Sequence, residues 1–429
     1  MSIESVDRVL FKNGLVADPE NTKTFASDVL IEAGKIESVG KIDDSGFDGR
    51  IVDIKGSVIC PGLIDMHVHL REPGREDEET VESGCEAAMA GGFVAVCPMP
   101  NTEPCADSAE IVHYLKNKAK ELLVDVYPIA AVTRGRMGEQ LTEMGDLVEA
   151  GAVAFSDDGD PVSSTEMMRR ALEYSKMFDV PIIEHAEDKS VSKNGVMNES
   201  RMSTRLGLPG IPGLSEDVCI ARDLLAAELT GGRLHIAHIS TARSVDLVRQ
   251  AKKRGTNVTC EVMPHHFVLD DEKISTYDPA FKMNPPLRTK ADVVAMLEGL
   301  KDGTIDVIAT DHAPHSPEEK ELEFLFAPFG IVGLETALGL VLKYLVEPGI
   351  LTLPEAVRKM TLAPADILRL DRGRIQKGAT ASISIFDQGE LWTVDKLKFK
   401  SKSKNTPFNG WELKGSVKGL YNNGKLWIA

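Results

Sequence analysis

Cysteine is sparse in this 429-residue chain: Cys60, Cys85, Cys97, Cys105, Cys219 and Cys260, with no pair spaced as C-x-x-C. That excludes a disulfide scaffold and points to free thiols in a reducing cytosol, so a cytoplasmic location is expected. No run of about 18 apolar residues occurs, so no membrane-spanning helix is expected. The opening MSIESVDRVLF lacks a basic start followed by an apolar stretch, so no secretory signal is expected either. Positive charge is in deficit: the formal net charge is -17. A duplex or an anionic membrane would want clustered Lys and Arg, so neither nucleic acid nor membrane is an expected partner. A small anionic substrate stays compatible, because one pocket can be basic on an acidic protein.

The remaining composition, 42% hydrophobic and 27% charged, is that of a soluble globular protein. Both ends of the chain read as β structure. VLFKNGLVAD, DVLIEAGKIESVG and RIVDIKGSVI near the start, and ASISIFD, ELWTV and GSVKGLYNNGKLWI near the end, carry apolar and β-branched residues broken by glycine turns. Residues 1–60 and 375–429 are expected to pair into one small, discontinuous β-sandwich domain.

Residues 61–374 follow another pattern. Short apolar runs recur: GLIDMHVH, FVAVCPM, VDVYPIAAV, AVAFSDD, VPIIEH, RLHIAHI, VTCEVMPHH and DVIATDHAPH. Amphipathic stretches such as DSAEIVHYLKNKAKELL, STEMMRRALEYSKMF, SEDVCIARDLLAAEL and KADVVAMLEGL lie between them. Eight strands alternating with helices predict a (β/α)8 TIM barrel, whose active site would lie at the C-terminal ends of the strands. An open doubly wound sheet produces a similar pattern.

Metal-binding residue types gather at those ends. His67 and His69 close the first run; Asp157 and Asp158 close the fourth, His185 the fifth, His238 the sixth and Asp311 the eighth. A lone H-x-H is a weak signal, and one Asp at a strand end is usually a helix cap. The combination of imidazole and carboxylate from five strands is the chemistry of a divalent-metal site. Four His and two carboxylates exceed the needs of one tetrahedral zinc and suit two ions bridged by a carboxylate and a hydroxide. Of the other histidines, His113 is expected at the surface and His235 in the core. His265 and His266 are open to either a supporting or a structural role, and His312 is expected to point away from Asp311.

These residues carry a family resemblance. PGLIDMHVHLREPG (Pro61–Gly74), MPNT (Met99–Thr102), FSDDG (Phe155–Gly159), HIAHIST (His235–Thr241), KMNPPLR (Lys282–Arg288), ATDHAPH (Ala309–His315) and APFG (Ala327–Gly330) stand in order along essentially the whole chain. The sequence resembles the bacterial long-chain, type I dihydroorotases of the amidohydrolase superfamily. The resemblance implies that His67, His69 and Asp311 hold one metal, that His185 and His238 hold a second, and that Asp158 bridges them, with Asp157 the competitor for that role. It implies Zn2+, one or two ions per subunit and two expected. It implies that Arg71, Asn101 and Asn284 grip the substrate, joined by His315 and the Phe329–Gly330 backbone. Relatives that bridge their metals with a carboxylated lysine differ here, since AVAFSDD offers no lysine. ATASISIFD also stands where the family usually has an Ala-Asp pair.

The implied reaction is the reversible closure of N-carbamoyl-L-aspartate to L-dihydroorotate in de novo pyrimidine synthesis, through a metal-bound hydroxide and with Asp311 as general base, then general acid. Arg71 suits a substrate bearing an unreactive carboxylate, because a guanidinium can bind it bidentately. Another cyclic amidase, such as an allantoinase or dihydropyrimidinase, is the alternative within the fold, and an inactive scaffold is the alternative outside enzymes. The family implies a homodimer and raises association with aspartate transcarbamoylase, on which the chain itself is silent. The segment PHSPEEKELEFLFAPFG after the eighth run reads equally as a mobile lid, over residues 316–328, or a static amphipathic helix.

Overall fold

The computed structural model describes residues 3–429. Strands Leu63–Val68, Phe93–Pro98, Ala154–Ser156, Ile182–Glu184, Leu234–Ile236, Val258–Val262 and Val307–Ile308 each follow one of the apolar runs. The VDVYPIAAV run gives two short pieces, Asp125–Val126 and Ile129–Ala130, split where Pro128 has no amide hydrogen to donate. Every pairing among them is parallel. A parallel bridge between Val68 and His312 joins the first strand to the chain leaving the eighth, so the ring closes as a barrel and not as an open sheet.

The strands are buried end to end because the barrel interior is a packed core. Met66, Cys97, Met99, Ile129, Ala154, Ile183, Ala237, Met263, Val307 and Ala309 form one inner cluster, contributed by all eight strand positions. The connecting helices coincide with the amphipathic stretches: Ala109–Ala119, Thr165–Ser175, Leu214–Thr230 and Lys290–Lys301. Ser164 caps the second of these by accepting from the Met167 amide, and a capping box of Thr289 and Asp292 opens the fourth.

The strands of the two ends interleave in one nine-stranded sheet. Val58–Pro61 pairs in parallel with Arg8–Asp18 on one side and antiparallel with Ser382–Thr393 on the other, so strands from the two termini are direct neighbours. Val9, Phe11, Val29, Ile31, Ile59, Ile383, Ile385 and Tyr421 share its core. Gly62 is the pivot between this sheet and the barrel. A Cβ there would lie 2.1 Å from Val94 Cγ2 and 2.7 Å from Ser382 Oγ, so only glycine lets the two layers approach this closely. Pinning the chain at residue 62 aims Leu63–Val68 along the barrel axis and delivers His67 and His69 to its mouth.

Candidate active site

The residues that end the barrel strands converge. His67 Nε2 lies 3.4 Å from Asp158 Oδ1 and 3.5 Å from Asp311 Oδ1. His69 Nε2 lies 3.0 Å from Asp311 Oδ1 and 3.6 Å from Asp158 Oδ2. His185 Nδ1 and His238 Nε2 each lie 3.6 Å from Asp158 Oδ1. The donors form two triads, His67–His69–Asp158 and Asp158–His185–His238, and each keeps its ligand atoms within 4.8 Å of one another. Asp158 belongs to both. The neighbouring Asp157 turns away and accepts from the Thr133 amide at 3.0 Å and from the Thr133 hydroxyl.

The outer edges of the imidazoles are fixed. His67 Nδ1 donates to Glu261 Oε1 at 2.6 Å, His69 Nδ1 donates to Asn101 Oδ1 at 2.9 Å, and His185 Nε2 donates to Glu187 Oε2 at 3.2 Å. Each bond consumes one ring nitrogen and leaves the lone pair of the other facing Asp158, which is how proteins prepare histidine to bind metal. His67 Nε2 and Asp158 Oδ1 are buried with no hydrogen-bond partner, although buried polar atoms nearly always have one. A divalent cation satisfies both.

The electrostatics agree. Burial alone would lower the pKa of His67, but Asp158 and Glu261 hold it well above its ordinary value. His185 is raised to about 10: burial opposes the shift, and Asp158 and Glu187 more than reverse it. Burial would raise Asp158, yet the charge of His67 and the close approach of the His185 and His238 imidazoles hold it well below the carboxylate range. A field that holds protons on these lone pairs also holds a dication, since the two compete for the same atoms. His238 and Asp311 hold left-handed backbones, with φ of 31° and 49°, as does Arg71 at 60°. Such conformations cost about 1–3 kcal/mol each in non-glycine residues and cluster at functional sites.

A cavity of about 340 Å³ opens onto this cluster. Its lining includes His69, Asp158, His185, His238 and Asp311 together with Arg71, Asn101, Asn284, His315, Phe329 and Gly330, with no lysine among the described residues that line it. Arg71 Nε donates to the Pro314 carbonyl at 3.0 Å, and His315 Nε2 lies 2.7 Å from the Phe329 carbonyl oxygen. Asn284 Nδ2 donates to Glu187 at 3.2 Å, so this amide also steadies the group behind His185. At Gly330 (φ 126°) a Cβ would lie 2.7 Å from the Ala313 Cβ and 3.1 Å from His315 Nε2, so a side chain would block that wall.

The remaining histidines sort by contact. His113 is exposed. His235 is a core residue, donating to Thr259 Oγ1 at 2.7 Å, but its Nε2 also lies 3.3 Å from Glu261 Oε2, behind His67. His266 donates to the Pro285 carbonyl, and His312 faces Glu79 at 3.3 Å. Over the segment after the eighth strand, helix is confined to Pro317–Lys320, so a static amphipathic helix is not what forms. Pro317 opens this turn, and beyond it Leu322, Leu325 and Phe326 are exposed instead of packing as one face. Lys320 Nζ instead ties the segment down, donating to the Lys282, Pro328 and Gly330 carbonyls at 3.3, 2.9 and 2.9 Å. Glu261, Glu187 and Lys320 are contributors that motif reading passed over.

A closed parallel barrel joined to a sheet of both termini, with imidazoles and carboxylates at its mouth, defines a metal-dependent cyclic amidohydrolase. The L-hydantoinase (dihydropyrimidinase) of Arthrobacter aurescens shares the fold, with a TM-score of 0.87 at 24% identity over 97% of this chain and 95% of that one. The dihydropyrimidinase of Brevibacillus agri NCHU1002 does so with a TM-score of 0.83 at 21% identity, over 98% of this chain and 95% of that one. A family model described as dihydro-orotase-like matches residues 56–244. The dihydroorotase of Pelotomaculum thermopropionicum is 54% identical over 95% of both chains, and that of Syntrophus aciditrophicus is 51% identical over 96% of both. That of Acetivibrio thermocellus is 50% identical over 98% of this chain and 99% of its own. This chain belongs to the dihydroorotase family.

Proposed function

We propose that this protein is a dihydroorotase that opens and closes the ring of L-dihydroorotate, exchanging it with N-carbamoyl-L-aspartate in pyrimidine synthesis. One observation carries the reading. The Arg71 guanidinium and the Asp158-centred donor cluster line the same cavity, so a cation for an unreactive carboxylate stands beside a metal-binding floor. Hydantoin and dihydrouracil lack that carboxylate and need no such partner.

We assign His67, His69 and Asp311 to one divalent ion, His185 and His238 to a second, and Asp158 to both, with zinc the metal that this nitrogen-rich donor set favours. Bound there, the ions supply Lewis acidity toward a carbonyl oxygen and toward water. The chain's own groups do the rest. In ring opening, Asp311 accepts a proton from the attacking water and returns it to the ring nitrogen as the carbonyl carbon–nitrogen bond breaks. In closure it takes a proton from the ureido nitrogen. Arg71 and His315, with Asn101, Asn284 and the Phe329–Gly330 backbone, orient the substrate so that its reacting carbonyl faces Asp158 and Asp311. Residues 61–374 are taken as the catalytic unit and 1–60 with 375–429 as the unit that buttresses it.

The test is turnover of dihydroorotate against hydantoin, allantoin and dihydrouracil, before and after chelation. Dihydroorotate alone should be opened rapidly, and chelation should abolish the rate until zinc is restored. Faster opening of a neutral ring would overturn the reading. The assignment extends to a homodimer in the cytosol, which light scattering on the purified protein checks. Co-elution with aspartate transcarbamoylase tests association with that enzyme.

A further inference from the structure

Glu78 lies in REPGREDEET, a stretch so polar that it reads as a solvated loop, yet its side chain is fully buried. A buried carboxylate is expensive unless it is paired. Here it has three partners. Oε2 lies 3.2 Å from Arg71 Nε, and Oε1 lies 2.8 Å from Arg75 Nη2 and 2.9 Å from His315 Nδ1. Arg71 and His315 are the two basic groups that line the cavity beside the donor cluster without belonging to it, and the Arg71 Nη2 and His315 Nε2 atoms lie 3.4 Å apart. One hidden carboxylate therefore holds the back edges of both.

Resting on the reading that the substrate presents a carboxylate to Arg71, we propose that Glu78 is the positioning residue of the carboxylate subsite and sets the preference for anionic over neutral rings. Glu78 Oε2 lies against the Nε edge of the guanidinium as an ion pair without a hydrogen bond, and the Pro314 carbonyl takes the Nε hydrogen, so a bidentate pair with a ligand falls to the terminal nitrogens, of which Nη2 also lies beside His315 Nε2. By accepting from His315 Nδ1, it fixes the plane of that ring against the Phe329 carbonyl. Its charge is shared with Arg75, which in turn pairs with Glu319 at 2.6 Å, so Arg71 is oriented without being neutralised. Arg75 at the same carboxylate also repels Arg71, and without Glu78 the two guanidinium groups would be driven apart.

The test compares Glu78→Gln and Glu78→Asp with the metal-loaded wild type by calorimetry, with orotate and with uracil, the same ring lacking the carboxylate. Wild type should bind orotate more tightly than uracil. Glu78→Gln should weaken orotate about tenfold and leave uracil within about twofold, and KM for dihydroorotate should rise about tenfold while kcat falls less than about threefold. Glu78→Asp, which keeps the charge, should recover part of the orotate affinity. Equal losses for both ligands, or a parallel fall in kcat, would mark a merely structural role and overturn the proposal. So would tighter orotate binding by Glu78→Gln, which would make Glu78 a competing anion. A wild type that opens dihydroorotate and prefers orotate, beside an unaffected Glu78→Gln, would refute the role of Glu78 alone. A wild type indifferent to the carboxylate would refute the subsite itself, and the Glu78 assignment with it.

Discussion

Glu261 Oε1 stands 2.6 Å from His67 Nδ1, and its other oxygen stands 3.3 Å from His235 Nε2. The carboxylate is fully buried, on a barrel strand whose other buried residues are Val258, Cys260 and Val262. Burial would raise its pKa, but the charge and bond of His67, with the His235 imidazole beside it, bring it down to about 2. It is thus an anion at any ordinary pH, and it keeps the proton of His67 on Nδ1 and the lone pair on Nε2.

Glu261→Gln should therefore weaken metal binding without unfolding the barrel. An amide can present its NH2 as readily as its oxygen, so His67 loses its fixed tautomer. The expected loss is about 10- to 100-fold in affinity. Competition with a chromophoric chelator measures it, and an unchanged affinity would mean that His67 does not depend on Glu261.

Asp311 combines a left-handed backbone with a buried carboxylate that His69 and the neighbouring imidazoles hold far below its usual pKa against the effect of burial. Asp311→Asn keeps the shape and removes the proton acceptor; Asp311→Ala removes the side chain. Both should fold, judged by circular dichroism, and both should lose about 10²- to 10⁴-fold in kcat. A variant near the wild-type rate would show that some other group moves the proton.

Much of this architecture was legible before any coordinates. Barrel strands buried on both faces read as apolar runs, and the residues that leave such strands face the mouth; hence His67, His69, the Asp157–Asp158 pair, His185, His238 and Asp311 stand out by position. The groups behind them did not. Glu261 was visible in principle as an acid inside an apolar strand, a placement that needs a buried partner. Glu78 and Lys320 sit in the charged stretches REPGREDEET and SPEEKELE, where only three-dimensional packing distinguishes the side chains that turn inward, in the first stretch Glu72, Glu78 and Glu79. The choice between Asp157 and Asp158 likewise depended on Thr133, distant in sequence, which claims the first of the two.

Lys320 gives the site a pH signature. Burial, then the charge of Lys282, push its pKa down to about 7 against the pull of Asp278, and burial lowers Lys282 to about 8. In the unfolded chain both return to about 10.4. Between about pH 7 and pH 10 the unfolded state therefore binds more protons, and these lysines make stability rise with pH across that window. Urea midpoints at pH 7 and pH 9 should show a smaller rise in Lys320→Met than in wild type. The same variant frees the Pro328 and Gly330 carbonyls and should raise KM for dihydroorotate, because the Phe329–Gly330 wall loses its anchor. An identical pH dependence in both proteins would mean that Lys320 keeps an ordinary pKa in the fold.

Asp157 and Asp158 are adjacent, both buried, and should fail in opposite ways. Asp158 faces four imidazole nitrogens, at 3.4–3.6 Å, and is shared by both donor triads. Asp158→Asn removes the only charge common to the two groups, so metal content by mass spectrometry should fall by half or more, with activity falling alongside it. Asp157 instead accepts the amide and hydroxyl of the fully buried Thr133. Asp157→Ala should keep its metal and lose about 1–3 kcal/mol of stability, because two buried donors are left without an acceptor. Chemical denaturation and metal analysis on both variants separate the two cases. If Asp157→Ala lost the metal and Asp158→Asn kept it, the bridging carboxylate would be the other one.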